Sequence, residues 1–288
     1  MKTGVFLVVL GLGFALADRV EGRTLDGPVT VIVHSGALEL RALLWRPSGQ
    51  GPFPAVLFNH GSGHAGGRGD HRHPELLGPL FASHGYVFLY LFRRGDGLSA
   101  NQGIPSGDLM DAALATKGME ARNQIQMRLL ETDEMGDALA GLAYLRTLHG
   151  VDSQRIGVVG VSFGGSLTLL MAERDSNLRV IVVFATAGYA WVRSPQLRAR
   201  LTAAVGRLAV PVFFIHAAND YSVEPAKVLG AEMARLHKPY RVKIYPPAGQ
   251  TADEGHDFID LEVATWEPDV FVYLDKYMKV SPPKRNKR

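Results

Sequence analysis

Three residues far apart in the chain have types and surroundings suited to nucleophilic chemistry. Gly160-Val161-Ser162-Phe163-Gly164 encloses one hydroxyl between glycines, where an apolar run ends and a helical pattern begins. A serine hydroxyl is a poor nucleophile at neutral pH, so it requires a base to take its proton and a carboxylate to orient that base. The chain offers 10 histidines. His256 falls in the loop after the β-rich run 240–246, and Asp220 in the loop after the apolar run 210–217. Glu224 is the weaker choice of acid, because it begins a helical pattern where an acidic first turn is common for capping reasons alone. Asp253, Glu254 and Asp257 stand too close along the chain to His256 to be the separate strand-end acid. The expected chemistry is acyl transfer, with Ser162 as nucleophile, His256 as base and Asp220 as its orienting carboxylate.

These side chains need a frame that brings three distant segments to one rim. A strand running directly into a helix drives Ser162 toward a positive φ and stands its hydroxyl at the tip of the turn. Gly160 and Gly164 let strand and helix approach without Cβ clashes. Helix-start N–H groups then face any developing negative charge, which makes the Phe163 N–H the first oxyanion donor. His60-Gly61-Ser62-Gly63 follows another apolar strand pattern, and the Ser62 N–H, with Gly63 behind it, is the expected second donor. His60 itself reads as structural.

Around these points short β-rich runs (28–36, 38–47, 54–61, 86–92, 155–162, 179–188, 210–217, 240–246) alternate with helical patterns. The first two read as an antiparallel pair turning at Gly36. The alternation predicts an α/β single domain, with a mainly parallel central sheet of about eight strands and helices on both faces. Right-handed crossovers put the loops that follow strands along one edge, which is where the chemistry should sit. The last helix is expected from about Pro268 to Met278, and His256 in a loop. The segment from about Ser99 to Leu130 is longer than a connection requires; it reads either as a lid over the site or as an inserted surface helix.

Composition bounds the rest. With 47% hydrophobic and 20% charged residues the chain has material for a sizeable core. The net charge of +3 is concentrated at the C-terminus, where Lys284, Arg285, Lys287 and Arg288 follow Pro282-Pro283. The rest is close to neutral, which argues against a nucleic-acid partner, and 280–288 reads as a basic disordered tail. At the other end, Lys2, an apolar stretch from Val5 to Leu16 and Ala15-Leu16-Ala17 read as a signal peptide over 1–17. That stretch falls short of the roughly 20 residues a membrane-spanning helix needs. The expectation is a secreted or periplasmic protein with no stable membrane insertion after cleavage, its domain spanning 18–279. The absence of cysteine excludes disulfides, thiolate metal sites and a thiol nucleophile. His64, Asp70, His71 and His73 crowd one Gly-rich loop, read as solvated or substrate-lining in preference to a metal site.

Asn59–Gly63 (NHGSG), RRGDGLS (93–99), GVSFGG (160–165), HAANDYSVEP (216–225) and GHDF (255–258), in this order, resemble the α/β-hydrolase superfamily and, within it, the dienelactone-hydrolase group. There is some similarity to prolyl-oligopeptidase-type catalytic domains. The resemblance runs from about residue 30 to 278 and implies the α/β-hydrolase fold, a Ser-His-Asp triad and no cofactor. It departs at the nucleophile, which is typically cysteine in dienelactone hydrolases and here is Ser162. The implied function is hydrolysis of a small-molecule carboxylic ester or lactone through an acyl-enzyme. A peptidase or an acyltransferase shares that mechanism, and a noncatalytic binding protein shares the fold. The loop RRGDGLS resembles one that mainly shapes related hydrolases, with Arg93 or Arg94 also able to meet a substrate carboxylate.

Overall fold

The computed structural model describes residues 27–66 and 72–279. The leader expected over 1–17, the tail over 280–288, and Asp70 and His71 lie outside the described residues.

Among the described residues the sheet has eight strands: β1 (Val29–Ser35), β2 (Leu38–Trp45), β3 (Phe53–Asn59), β4 (Val87–Leu91), β5 (Val151–Val161), β6 (Val180–Phe184), β7 (Val212–Ala217) and β8 (Tyr240–Tyr245). Their spatial order is β1-β2-β4-β3-β5-β6-β7-β8. β1 pairs antiparallel with β2, and β2 antiparallel with β4. Every later pairing is parallel. The expected mainly parallel sheet of eight strands is therefore what forms. From β3 the chain passes to β4 on one side and then returns to β5 on the other. The crevice beyond the C-terminal ends of β3 and β5 is thus the topological switch point, where open α/β sheets bind ligands. Asn59 and Ser162 lie at those two ends.

The central strands bury both faces, so their sequences run apolar at successive positions. In β3, Ala55 and Leu57 join one cluster, with Val56 and Phe58 in the other. Helices α2 (Ser106–Glu131), α3 (Asp133–Thr147), α4 (Phe163–Arg174), α5 (Pro195–Arg207) and α6 (Glu224–Arg235) cover the first face. Helices α1 (Arg72–Ser83), α8 (Phe258–Leu261) and α9 (Val263–Met278) cover the second. The short α7 (Ala252–His256) lies between β8 and α8. In α4 every residue from Phe163 to Ala172 is buried, so the helix beginning at the serine is a core element.

Three boundaries differ from the sequence reading. The one long helical pattern the sequence shows from about Leu109 to Leu148 divides at Thr132 into α2 and α3, and α2 is itself kinked at Gly118, with φ +79°. The final helix begins at Val263 and carries Pro268 inside it, where the ring leaves Ala264 O without its intrahelical donor. His256 ends a single helical turn, held at its start by a capping box between Thr251 and Glu254.

Candidate active site

Ser162 has φ +56° and ψ −116° and stands between β5 and α4. A non-glycine residue in this region carries about 1–3 kcal/mol of strain, so the surroundings must hold it. They do so through its backbone: the Ser162 N–H donates to Phe184 O at 2.9 Å and the Ser166 N–H donates to Ser162 O at 3.1 Å. The flanking glycines are steric necessities. A Cβ at Gly164 would lie 2.1 Å from Asn59 O, and one at Gly160 2.4 Å from Gly164 O.

The loops after β7 and β8 bring Asp220 and His256 to this turn. His256 Nε2 lies 2.8 Å from Ser162 Oγ, and His256 Nδ1 lies 2.7 Å from Asp220 Oδ1. The carboxylate accepts, so Nδ1 carries the proton and bare Nε2 accepts from the Ser162 hydroxyl. Asparagine ties the two loops together: Asn219 Nδ2 donates to Ala248 O and to Thr251 O, both at 2.7 Å, and the Ala248 N–H donates to Asn219 Oδ1 at 2.9 Å.

Asp220 is buried and takes more than one donor. Its Oδ2 accepts from His216 Nδ1 at 2.7 Å, and its Oδ1 also accepts from the Tyr221 N–H at 2.7 Å. Burial pushes its carboxyl up, but hydrogen bonds and charge from His216 and His256 outweigh it and hold the pKa below the usual aspartate value. His216 was absent from the sequence reading. It sits at the buried end of β7, where a lone histidine in the apolar run VFFIHA, four residues before the acid, was the available signal. Glu224 is exposed, with its carboxylate on Lys227 Nζ at 2.9 Å, and takes no part in the arrangement.

Ser162 and His256 open into a cleft of about 280 Å³ that Ser62 and Phe163 also line. The Ser162 side chain makes no capping bond to the start of α4, which leaves the first-turn N–H groups uncapped by it. From α2, Met110, Asp111, Arg122 and Gln126 form a wall of the cleft. Of the two readings for the segment 99–130, the helix α2 therefore flanks the site directly. Tyr189 and Tyr221 also line the cleft; their rings meet edge to face at 5.4 Å, and Tyr221 meets the His256 ring at 5.3 Å.

Among the described residues Arg122 is the one lysine or arginine in that lining, and sequence reasoning missed it. It is 8% exposed, donates to Gln126 Oε1 at 3.1 Å and lies 5.2 Å from the centre of the Tyr189 ring. Desolvation lowers its pKa, with Tyr189 and Asp111 partly compensating. The sequence reading offered Arg93 or Arg94 for a substrate carboxylate instead. The structure corrects this: Arg93 is fully buried on Glu134, and Arg94 holds Asp137 with its Nη2 at 2.8 Å. His64 Nε2 lies 3.2 Å from Asp111 Oδ2, in the wall of the cleft.

No curated protein matches this chain. Among solved structures, an acylaminoacyl peptidase from Pyrococcus horikoshii superposes with a TM-score of 0.64 at 18% identity, covering 91% of this chain and 43% of its own. The chain thus spans less than half the length of that peptidase. A putative dienelactone hydrolase from Klebsiella pneumoniae gives 0.59 at 18% identity, with 87% and 97% covered. A dienelactone hydrolase from Anabaena variabilis gives 0.57 at 17%, with 88% and 97% covered. These likenesses share the α/β-hydrolase fold. The model of the dienelactone hydrolase family matches residues 40–259, most of the described chain, and the chain belongs to that family.

Proposed function

We propose that this protein is a serine hydrolase that cleaves carboxylic esters or lactones through an acyl-enzyme. The observation that carries the reading is the relay from Asp220 Oδ1 to His256 Nδ1 at 2.7 Å and from His256 Nε2 to Ser162 Oγ at 2.8 Å, on a serine held at positive φ. His256 takes the hydroxyl proton as Oγ bonds to the carbonyl carbon, and the N–H groups of Phe163 and Ser62 hold the oxyanion. Collapse breaks the bond to the alkoxide, which leaves with the proton from His256 Nε2. Water, deprotonated by the same nitrogen, then attacks the acyl carbon, and Oγ departs reprotonated. Because Asp220 ionises below the usual aspartate range, it is anionic at neutral pH.

The cleft favours a small acyl group, and Arg122 favours a substrate that also bears a carboxylate or another strong acceptor. The leader-like residues 1–17 support export, which N-terminal sequencing of the mature protein from its native host tests.

The test of the activity is a fluorophosphonate probe with peptide mapping, beside p-nitrophenyl esters of graded acyl length. Labelling at Ser162 that disappears in His256→Ala, with ester turnover lost in Ser162→Ala, is the expected result. A folded sample with neither labelling nor turnover would favour a noncatalytic binding protein. Faster turnover of peptidyl anilides than of any ester would move the reading to a peptidase.

A further inference from the structure

The stretch Arg93-Arg94-Gly95-Asp96 is not used by the chemistry above, yet it holds one of the largest fully buried side chains, Arg93. Its Nε donates to Glu134, which is equally buried on α3. A buried ion pair gives little net stability, because desolvation cancels most of the attraction. What the remaining donors hold is therefore the informative part.

Arg93 Nη2 donates to Gly61 O at 2.8 Å and to His60 O at 3.0 Å. The Arg93 N–H donates to His60 Nε2 at 3.3 Å, and His60 Nδ1 lies 3.0 Å from the same Gly61 O and 3.3 Å from Arg93 Nη2. The Gly61 carbonyl thus takes a hydrogen bond from the Arg93 guanidinium and has the His60 ring against it, both buried behind the loop. The Gly61–Ser62 peptide is trans. In a planar trans unit the C=O and the following N–H point in opposite directions. Drawing the Gly61 carbonyl inward turns the Ser62 N–H outward, and Ser62 lines the cleft beside Ser162. The loop is close enough to matter, since a Cβ at Gly61 would fall 3.8 Å from Ser162 Cβ. A flip of this one peptide would replace a donor with a carbonyl oxygen where the oxyanion forms.

We propose that Arg93, anchored by Glu134, is a positioning residue that fixes the Gly61–Ser62 peptide with its N–H toward the oxyanion. The inference rests on the acyl-transfer reading of the site. The parent protein is the control: no ester turnover and no labelling of Ser162 would overturn both, whereas an active parent with unchanged variants overturns this inference alone.

Arg93→Met/Glu134→Leu removes both buried charges together, and Arg93→Lys keeps the ion pair while losing the forked donor. In each, kcat and KM for p-nitrophenyl acetate are measured with the inhibition constant of phenylboronic acid, whose serine adduct is tetrahedral and anionic. Losing a whole oxyanion donor costs about 10²–10³ in kcat, so mispositioning one is expected to cost roughly 10- to 100-fold. KM should stay within about twofold, and boronate affinity should fall in step with kcat/KM. In the parent, the Ser62 amide proton resonance should move downfield on boronate binding, a readout that needs no variant. Folded variants whose kcat and boronate affinity match the parent overturn the proposal. So does a kcat loss without loss of boronate affinity, or a Ser62 amide that ignores the adduct.

Discussion

The two sides of Ser162 are built differently. Toward β7 and β8 the groups are titratable side chains in mutual contact, the proton side of the proposed mechanism: His256, open to the cleft, and Asp220, ringed by donors. Toward β3 and β4 the groups facing the serine are peptide dipoles, and the charges stand one layer back, as Arg93 and Glu134 in full burial. The contrast teaches that a site can use charge in two ways. A charge that must change state is set where its proton can travel, and a charge that only holds a dipole is sealed in the core. Arg122 is a third case, buried beside the cleft with a neutral amide as its hydrogen-bond partner and therefore open to a substrate acceptor.

The proton side should be the more sensitive. Asp220→Asn is expected to lower kcat by about 10⁴ with the fold retained, since the wrong histidine tautomer then faces the serine; unchanged turnover would remove Asp220 from its role. The dipole side should respond less, by the roughly 10- to 100-fold loss expected for Arg93→Met/Glu134→Leu, because the amide remains and only its aim is lost. Equal losses on the two sides would erase the contrast.

Arg122→Gln sharpens it from the substrate's end. A charge-assisted hydrogen bond is worth about 1.5–3 kcal/mol, so KM for an ester with a carboxylate tail should rise about 10- to 100-fold while a neutral ester is unaffected. A parallel rise for both esters would deny Arg122 its selectivity. Smaller still is the effect of His216→Leu, which deletes one donor to Asp220 and should cost roughly tenfold in kcat. His216→Asn returns a donor near the Nδ1 position, and failure of that variant to recover turnover would mean His216 acts by packing alone.

The smallest effect concerns stability. Asp269 on α9 accepts from Arg241, Lys243 and Tyr245 on β8, the strand that leads to His256. Partial burial works against its ionisation, but these donors win and hold its pKa at about 2 against an ordinary 3.8. Its contribution is therefore complete above pH 3.8 and lost as pH falls toward 2. Asp269→Asn should flatten the acid limb of the unfolding midpoint against pH; an unchanged slope would exclude this cluster as its source.

Much of the proton side was legible in the chain because each residue followed an apolar strand pattern, and the pattern of a strand end carries the residue to the sheet edge. Ser162 was clearest, since glycines on both sides have only one use at a strand-to-helix turn. The single turn under His256 was also written, as Thr251 and Glu254 at capping-box spacing, but a helix of five residues leaves no periodicity to read. On the dipole side Phe163 and Ser62 were readable as donors, but the charges behind them were not. Arg93 finds Glu134 across 41 positions, and nothing in local pattern says which of two adjacent arginines turns inward. Arg122 and Gln126 share one face of α2 at helical spacing, but polar residues on a helix ordinarily read as a solvated face. Strand order is likewise a tertiary fact, decided by which side of β3 the chain takes next.

The bend at Gly118 joins the part of α2 that carries Met110 and Asp111 to the part that carries Arg122 and Gln126. A Cβ there would touch nothing within 4 Å, so only the left-handed torsion keeps the position glycine. Changes at that joint would shift the two parts of the cleft wall against each other, and on the acyl-transfer reading they offer a route to a different acyl preference that leaves Ser162, His256 and Asp220 untouched.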